Sequence, residues 1–115
     1  MIQQGDIVLI IYPFTNLSST KVRPALVVSS SEFNSLNKEA VCVFITSRYY
    51  DTPFDLQVNQ NSDGFEMTGL RQRSTVRVGK IATLHLDLVK RHLGSTPPVL
   101  MKEVKKILNF LLHLS

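Results

Sequence analysis

The sequence predicts an α+β domain, a run of short strands closed by a helix, and three observations carry that expectation. Ile7 to Tyr12, Ala25 to Val28 and Val41 to Thr46 are short apolar runs rich in β-branched residues and bounded by Gly, Pro and Ser, the signature of buried strands. Phe54 to Val58, Phe65 to Leu70 and Thr75 to Leu84 extend the series, with a turn cluster over Asn59 to Gly64. The period then changes. Leu100, Val104, Ile107, Leu108, Leu111 and Leu112 fall on one helical stripe, opposite Lys102, Lys105, Lys106 and Asn109. Strands first and helices last is the α+β order. With 115 residues, the chain has room for one domain, 1–115, around one core.

Each element has a local justification. The polar loop Thr15 to Lys21 is too long for a two-residue hairpin turn, and it delivers Lys21 and Arg23 to the mouth of the second strand. Pro24 biases Arg23 towards an extended backbone and withholds a ladder N–H where that strand begins. From these residues alone, an anion site and an ordinary exposed hairpin arginine are both open, and the second is the commoner case. Ser29 to Glu39 is polar, with Phe33 and Leu36 three apart, which fits a short helical turn or an irregular excursion before the third strand. The third strand ends by presenting Thr46, Ser47 and Arg48, followed by Tyr49 and Tyr50. The stretch from Phe54 reads as an edge strand, and Gly69 and Gly79 read as bends or bulges. Asp87 to His92 with Gly94 behind reads as a short helix and its C-cap. Ser95-Thr96-Pro97-Pro98 reads as a hydroxyl cap before an N1 proline.

Composition narrows the function classes. The 43% apolar and 19% charged fractions are those of a globular chain. No apolar run has the length of a membrane span, and the N-terminus lacks a signal-peptide pattern, so the reading is cytoplasmic with no membrane role. Cys42 stands alone within an apolar run, which suits a small buried hydrophobe better than a nucleophile. No Cys/His spacing suggests a metal, and no cofactor is expected. The net charge of +4 favours a polyanionic partner. Between Met67 and Leu86 there are four positive charges, Arg71, Arg73, Arg77 and Lys80, and no acid. If that segment is extended, Arg71, Arg73, Thr75 and Arg77 share one face, with Val76 and Val78 turned inward. Such a face is either a phosphate track or a solvated surface.

Gly5-Asp6-Ile7-Val8, Pro13-Phe14-Thr15-Asn16-Leu17 and Arg23-Pro24-Ala25-Leu26-Val27-Val28-Ser29 resemble the opening of the MazF/PemK toxin ribonucleases. The resemblance continues through Ile45-Thr46-Ser47, Gly69-Leu70, Ser74-Thr75-Val76-Arg77, Lys80 to Leu84 and Leu93-Gly94 into the last helix. It covers nearly the whole chain in the expected order. It implies a small, strongly curved SH3-like β-barrel with a short helix and a C-terminal amphipathic helix. It also implies a sequence-specific, metal-independent endoribonuclease toxin that cuts single-stranded mRNA to 2′,3′-cyclic phosphate and 5′-hydroxyl ends. Such a toxin works as a homodimer and is neutralised by a cognate antitoxin.

The resemblance assigns Arg23 and Thr46 as catalytic and Thr15, Asn16, Ser18, Lys21, Ser47, Arg48 and Arg77 as RNA-binding. The chemistry suits the residue types: a guanidinium fork can hold two phosphate oxygens, and a hydroxyl adds a donor aimed at developing charge. Two departures stand out. Gly79 occupies a position where some relatives carry an acid, and the first loop lacks the histidine of others. The resemblance then leaves Arg23 to share proton transfer. Ala82 replaces an arginine of one branch. His85, His92 and His113 match no catalytic position of the family and read as structural or solvated. Tyr49 and Tyr50 either stack an unpaired base or pack on the barrel. The alternative is a non-catalytic toxin of the same fold that binds a protein such as a topoisomerase.

Overall fold

The computed structural model describes residues 1–12 and 21–114. The chain runs β1 (Asp6–Tyr12), β2 (Lys21–Val27), α1 (Ser31–Asn37), β3 (Glu39–Thr46), β4 (Asp55–Val58), β5 (Ser74–His85), β6 (Val89–Ser95) and α2 (Pro98–Leu112). The six strands form one antiparallel sheet in the order β4-β5-β3-β2-β1-β6. The α+β class holds, and β4 is an edge strand as its sequence suggests. The hydrogen-bonded order is open, ending at β4 and β6, so strand pairing does not close the expected barrel.

Both faces of the sheet are apolar, which is why the strand runs are unbroken rather than alternating. Ile7, Leu26, Val43, Ile45 and Val76 lie on the face beneath α2, which buries Leu100, Met101 and Val104 against them. Val8, Ile10, Ala25, Val27 and Cys42 lie on the other face, where Ile2, Leu86, Leu88 and Val89 pack over them. The expected stripe of α2 holds for its first turns. Leu112 is past the sheet and exposed. No helix among the described residues is long and apolar enough to cross a membrane.

Three local expectations are corrected. Phe65–Thr68 is a 3₁₀ turn rather than a strand, because Gly64 and Gly69 at its ends take left-handed backbone at φ +75° and +73°. That turn buries Phe65 and Thr68 together. Residues 87–92 are not a helix. A 3₁₀ turn at Leu86–Leu88 leads into β6, which pairs with β1 and seats Leu93 against the α2-side core. Gly94 is therefore a strand residue rather than a helix cap. A Cβ there would lie 2.2 Å from the Met67 carbonyl oxygen, so glycine permits that close approach. At the start of α2, Pro98 does occupy the first turn, but no side chain caps it. The Thr96 hydroxyl donates instead to the Gly5 carbonyl at 2.7 Å, tying β6 to the beginning of β1.

Candidate functional site

Strand register assembles the site. β2 and β3 pair through Ala25–Phe44, Leu26–Val43 and Val27–Cys42, and the Val28 amide donates to the Val41 carbonyl at 2.9 Å. Amides alternate sides along an antiparallel strand, so Leu26 and then Pro24 face β3. Pro24 has no N–H to give, and the ladder stops after Ala25. Continuing the same register sets Arg23 opposite Thr46 at the point where the strands part. Arg23 keeps its place because it pairs with Ile10 of β1 on its other side.

Two depressions meet at this opening, of about 250 and 400 Å³, and Arg23, Ile45, Thr46 and Ser47 line both. The larger one lies on the sheet face that carries Tyr12, Phe44 and Arg77, and Arg48, Tyr50 and Lys80 complete it. The smaller one opens over Leu9, Pro24 and Leu93 on the opposite face, beside Arg71, Gln72 and Arg91. None of the described residues lining either depression carries a carboxylate.

The larger depression is held by a cross-strand lattice. Ala25, Phe44, Arg77 and Asp55 are successive partners across β2, β3, β5 and β4, and Thr46, Thr75 and Gln57 form the next row. The Arg77 Nε donates to Asp55 Oδ1 at 2.9 Å, and the Arg77 guanidinium lies 3.6 Å from the Tyr50 ring centroid. Arg48 sits 5.5 Å from the same ring, and Arg23 lies 5.5 Å from the Tyr12 ring. The Thr75 hydroxyl donates to Gln57 Oε1, and the Gln57 amide donates to the Tyr50 carbonyl, which anchors the tyrosine loop. Thr46 Oγ1 accepts the Arg48 N–H at 3.1 Å, leaving its own proton as the one it can donate.

The Asp55 side chain is 2% exposed. Burial pushes its pKa up, but hydrogen bonds from Thr52 and Arg77 outweigh that and hold it below the ordinary 3.8. It stays ionised as the counter-charge of Arg77. Cys42 is buried, and burial pushes its thiol up to about 11, in line with an inert hydrophobe. His85 Nδ1 accepts the Asp87 N–H, His92 Nε2 lies 3.3 Å from Asp6 Oδ1, and His113 ends α2 in left-handed backbone. None of the three lines either depression. Among the described residues, no group of three or more His, Cys, Asp and Glu is placed to hold a metal ion.

Arg23, Thr46, Ser47, Arg48 and Arg77 are brought together. Lys21 stands exposed at the start of β2 and lines neither depression, while Thr15, Asn16 and Ser18 lie outside the described residues. The one-sided basic strand is not formed. Arg71 and Arg73 precede β5, and Thr75 is buried. Gly79 does mark a bulge, since Val43 pairs with Ile81 while Phe44 pairs with Arg77. Sequence reasoning passed over Arg91 because its strand read as a helix. No alternation offered a signal, because β6 is bulged against β1 and its apolar residues Val89 and Leu93 pack on opposite faces. For Asp55 there was none either.

A family model described as PemK-like, MazF-like toxin of type II toxin–antitoxin system matches residues 3–112. No curated protein matches the chain by sequence. Among solved structures, a MazE–MazF complex from Deinococcus radiodurans is similar at TM-score 0.81 and 23% identity, over 99% of this chain and 98% of that one. An endoribonuclease in complex with its cognate antitoxin, from a mycobacterial species, gives 0.78 and 21%, over 100% and 98%. The Mycobacterium tuberculosis toxin MazF-mt6 gives 0.77 at 15% identity, over 96% and 98%. At such identities these likenesses establish the fold, and the family model establishes the rest: the chain belongs to the PemK-like, MazF-like toxins of type II toxin–antitoxin systems.

Proposed function

We propose that this toxin is a sequence-specific endoribonuclease that cuts single-stranded RNA without a metal, leaving a 2′,3′-cyclic phosphate and a 5′-hydroxyl. The observation that carries the reading is the meeting of Arg23 and Thr46 on the rim shared by two cation-lined depressions. In the reaction, the 2′-oxygen of one nucleotide bonds to its 3′-phosphorus and the bond to the next 5′-oxygen breaks. Charge grows on the non-bridging oxygens as the phosphorane forms. The Arg23 guanidinium holds those oxygens, and the Thr46 hydroxyl donates to one of them. The 2′-hydroxyl gives up one proton and the leaving oxygen gains one. With no carboxylate or histidine among the described residues lining the depressions, Arg23 shares in that exchange. Arg48, Arg77 and Ser47 hold the strand, with Tyr50 and Tyr12 as stacking surfaces, and Lys21, Thr15, Asn16 and Ser18 extend the track.

The active form is a homodimer in the cytoplasm. A cognate antitoxin with an acidic tail neutralises it by occupying the same cations. The lack of a carboxylate or histidine among the described lining residues favours a second reading, a non-catalytic toxin of this fold that binds a protein such as a topoisomerase. Cleavage of a long unstructured RNA in excess EDTA, with and without Arg23→Ala, decides between them. Cuts at a short shared motif with 5′-hydroxyl ends, lost in the variant, are expected. Full activity of Arg23→Ala removes the mechanism, RNA binding without cutting points to the missing acid at Gly79, and neither binding nor cutting favours the second reading.

A further inference from the structure

Beyond the shared rim of Arg23, Ile45, Thr46 and Ser47, the smaller depression is built by the turn after Gly69 and by β6, which do not line the larger one. Gly69 sits against β6 so tightly that a Cβ on it would lie 2.1 Å from the Leu93 carbonyl oxygen, and Gly94 is equally close to Met67 and Thr68. This interlock brings the turn carrying Arg71 beside the strand carrying Arg91. The turn is stiff. The buried Thr68 hydroxyl donates to the Phe65 carbonyl and accepts the Leu70 N–H, and Ser74 Oγ donates to the Gln72 carbonyl. Arg91 is held opposite Leu9 by the β1–β6 ladder.

Arg23, Arg71 and Arg91 therefore line one small cavity over an apolar floor of Leu9 and Leu93. Among the described residues none of the three has an ion-pair partner, whereas Arg77 across the rim has Asp55. Three guanidiniums gathered without a counter-charge repel one another, and an anion relieves that repulsion. The cavity lies on the opposite sheet face from the aromatic depression and joins it over Arg23, Ile45, Thr46 and Ser47.

We propose that Arg71 and Arg91 form a subsite for the RNA phosphate adjacent to the scissile one, so that the strand crosses the end of the sheet from one face to the other over Arg23. The inference rests on the endoribonuclease reading above. Arg71 and Arg91 are positioning residues. They contact the strand beside the cut and take no part in the proton transfers. Their fork geometry suits a phosphate diester, and the larger depression keeps the stacking role.

The test uses the full chain and the shortest oligonucleotide that wild type cuts, first mapped on long RNA. Arg91→Ala and Arg71→Ala are each expected to raise KM roughly tenfold with kcat little changed. Each should also make the salt dependence of binding shallower by about 0.7 in log–log slope, the value for one phosphate contact on a single strand. On the same oligonucleotide with the flanking phosphate replaced by an uncharged methylphosphonate, wild type should weaken and the variants should not weaken further. Arg91→Lys should restore only part of the affinity, because it keeps the charge and loses the fork. Unchanged KM, or equal losses on charged and neutral linkages, overturns the subsite. Normal RNA handling with lost binding of an acidic antitoxin peptide overturns it as well, and gives the cavity to a protein. If wild type cuts no RNA at all, the parent reading fails instead, and that failure is visible before any variant is made.

Discussion

The two depressions that meet at Arg23 are made by different physics. The larger is a product of strand register: once β2, β3, β5 and β4 pair, Phe44, Arg77 and Asp55 fall in one row and Thr46, Thr75 and Gln57 in the next. Two of its cations are tethered before any ligand arrives, Arg77 by Asp55 and Tyr50, Arg48 by Tyr50. The smaller is a product of close backbone approach, two glycines letting a 3₁₀ turn and β6 touch. Among the described residues, its own cations Arg71 and Arg91 have neither an ion pair nor an aromatic ring beside them. Register is robust because slipping it turns every side chain to the wrong face. Close approach is fragile because one methyl group abolishes it.

Gly94→Ala should break that contrast most sharply. The new Cβ would stand 2.2 Å from the Met67 carbonyl and 2.5 Å from the Thr68 carbonyl carbon, a backbone collision that costs about 3 kcal/mol. Urea denaturation should show the midpoint falling, and a change under about 0.5 kcal/mol would mean the interlock is loose.

Asp55→Asn attacks the other side. It leaves the Arg77 charge, 24% exposed, without its partner, at an expected loss of about 2 kcal/mol. The sign of the pH dependence follows from the direction of the shift. The folded pKa lies below the unfolded one, so the contribution is complete above about pH 4 and is lost as pH falls through the lower folded value. Wild type and variant should therefore converge in acid, and thermal melts across pH 2–7 would show it. A gap that persists at the acid end refutes the role given to the carboxylate.

Pro24→Ala should trade activity for almost nothing in stability. It supplies the missing N–H, worth about 1 kcal/mol if the bond to β3 forms, and it releases unfolded-chain entropy of nearly the same size. Net stability should move by less than about 1 kcal/mol. Cleavage should drop as the strands close between Arg23 and Thr46. Unchanged cleavage would show that the proline is not what holds the opening apart.

Gly79→Glu is the mildest. The position is exposed, and a Cβ there would meet only Phe54 at 3.9 Å, so stability should stay within about 0.5 kcal/mol. If the absence of a base limits the reaction, the added carboxylate raises kcat. A flat kcat would place the limit elsewhere.

The same division explains what was legible beforehand. The strands of the central sheet, the edge position of β4 and the apolar face of α2 are written in periodicity, which depends on each residue's near neighbours. Arg23 and Thr46 were reachable through the motif that carries them. Arg91 and the turn behind Arg71 were not, since nothing in residues 65–70 or 87–94 says that two glycines far apart in sequence will meet. Gly94 looks like a helix stop until Met67 is seen against it. Asp55 is a lone acid in a short strand, and only the β4–β5 register reveals it as the partner of Arg77.

Under the proposed ribonuclease reading, the placement of the two depressions on opposite faces bears on substrate form as well as substrate sequence. A strand that fills both must turn sharply over the edge of a sheet within a nucleotide or two. A base-paired helix is stiff over many pairs and cannot fold around such an edge, whereas an unpaired strand bends there at little cost. In a folded transcript, a recognition motif inside a hairpin stem would then be spared and the same motif in a loop would be cut. Messenger secondary structure, as much as sequence, would decide which transcripts survive.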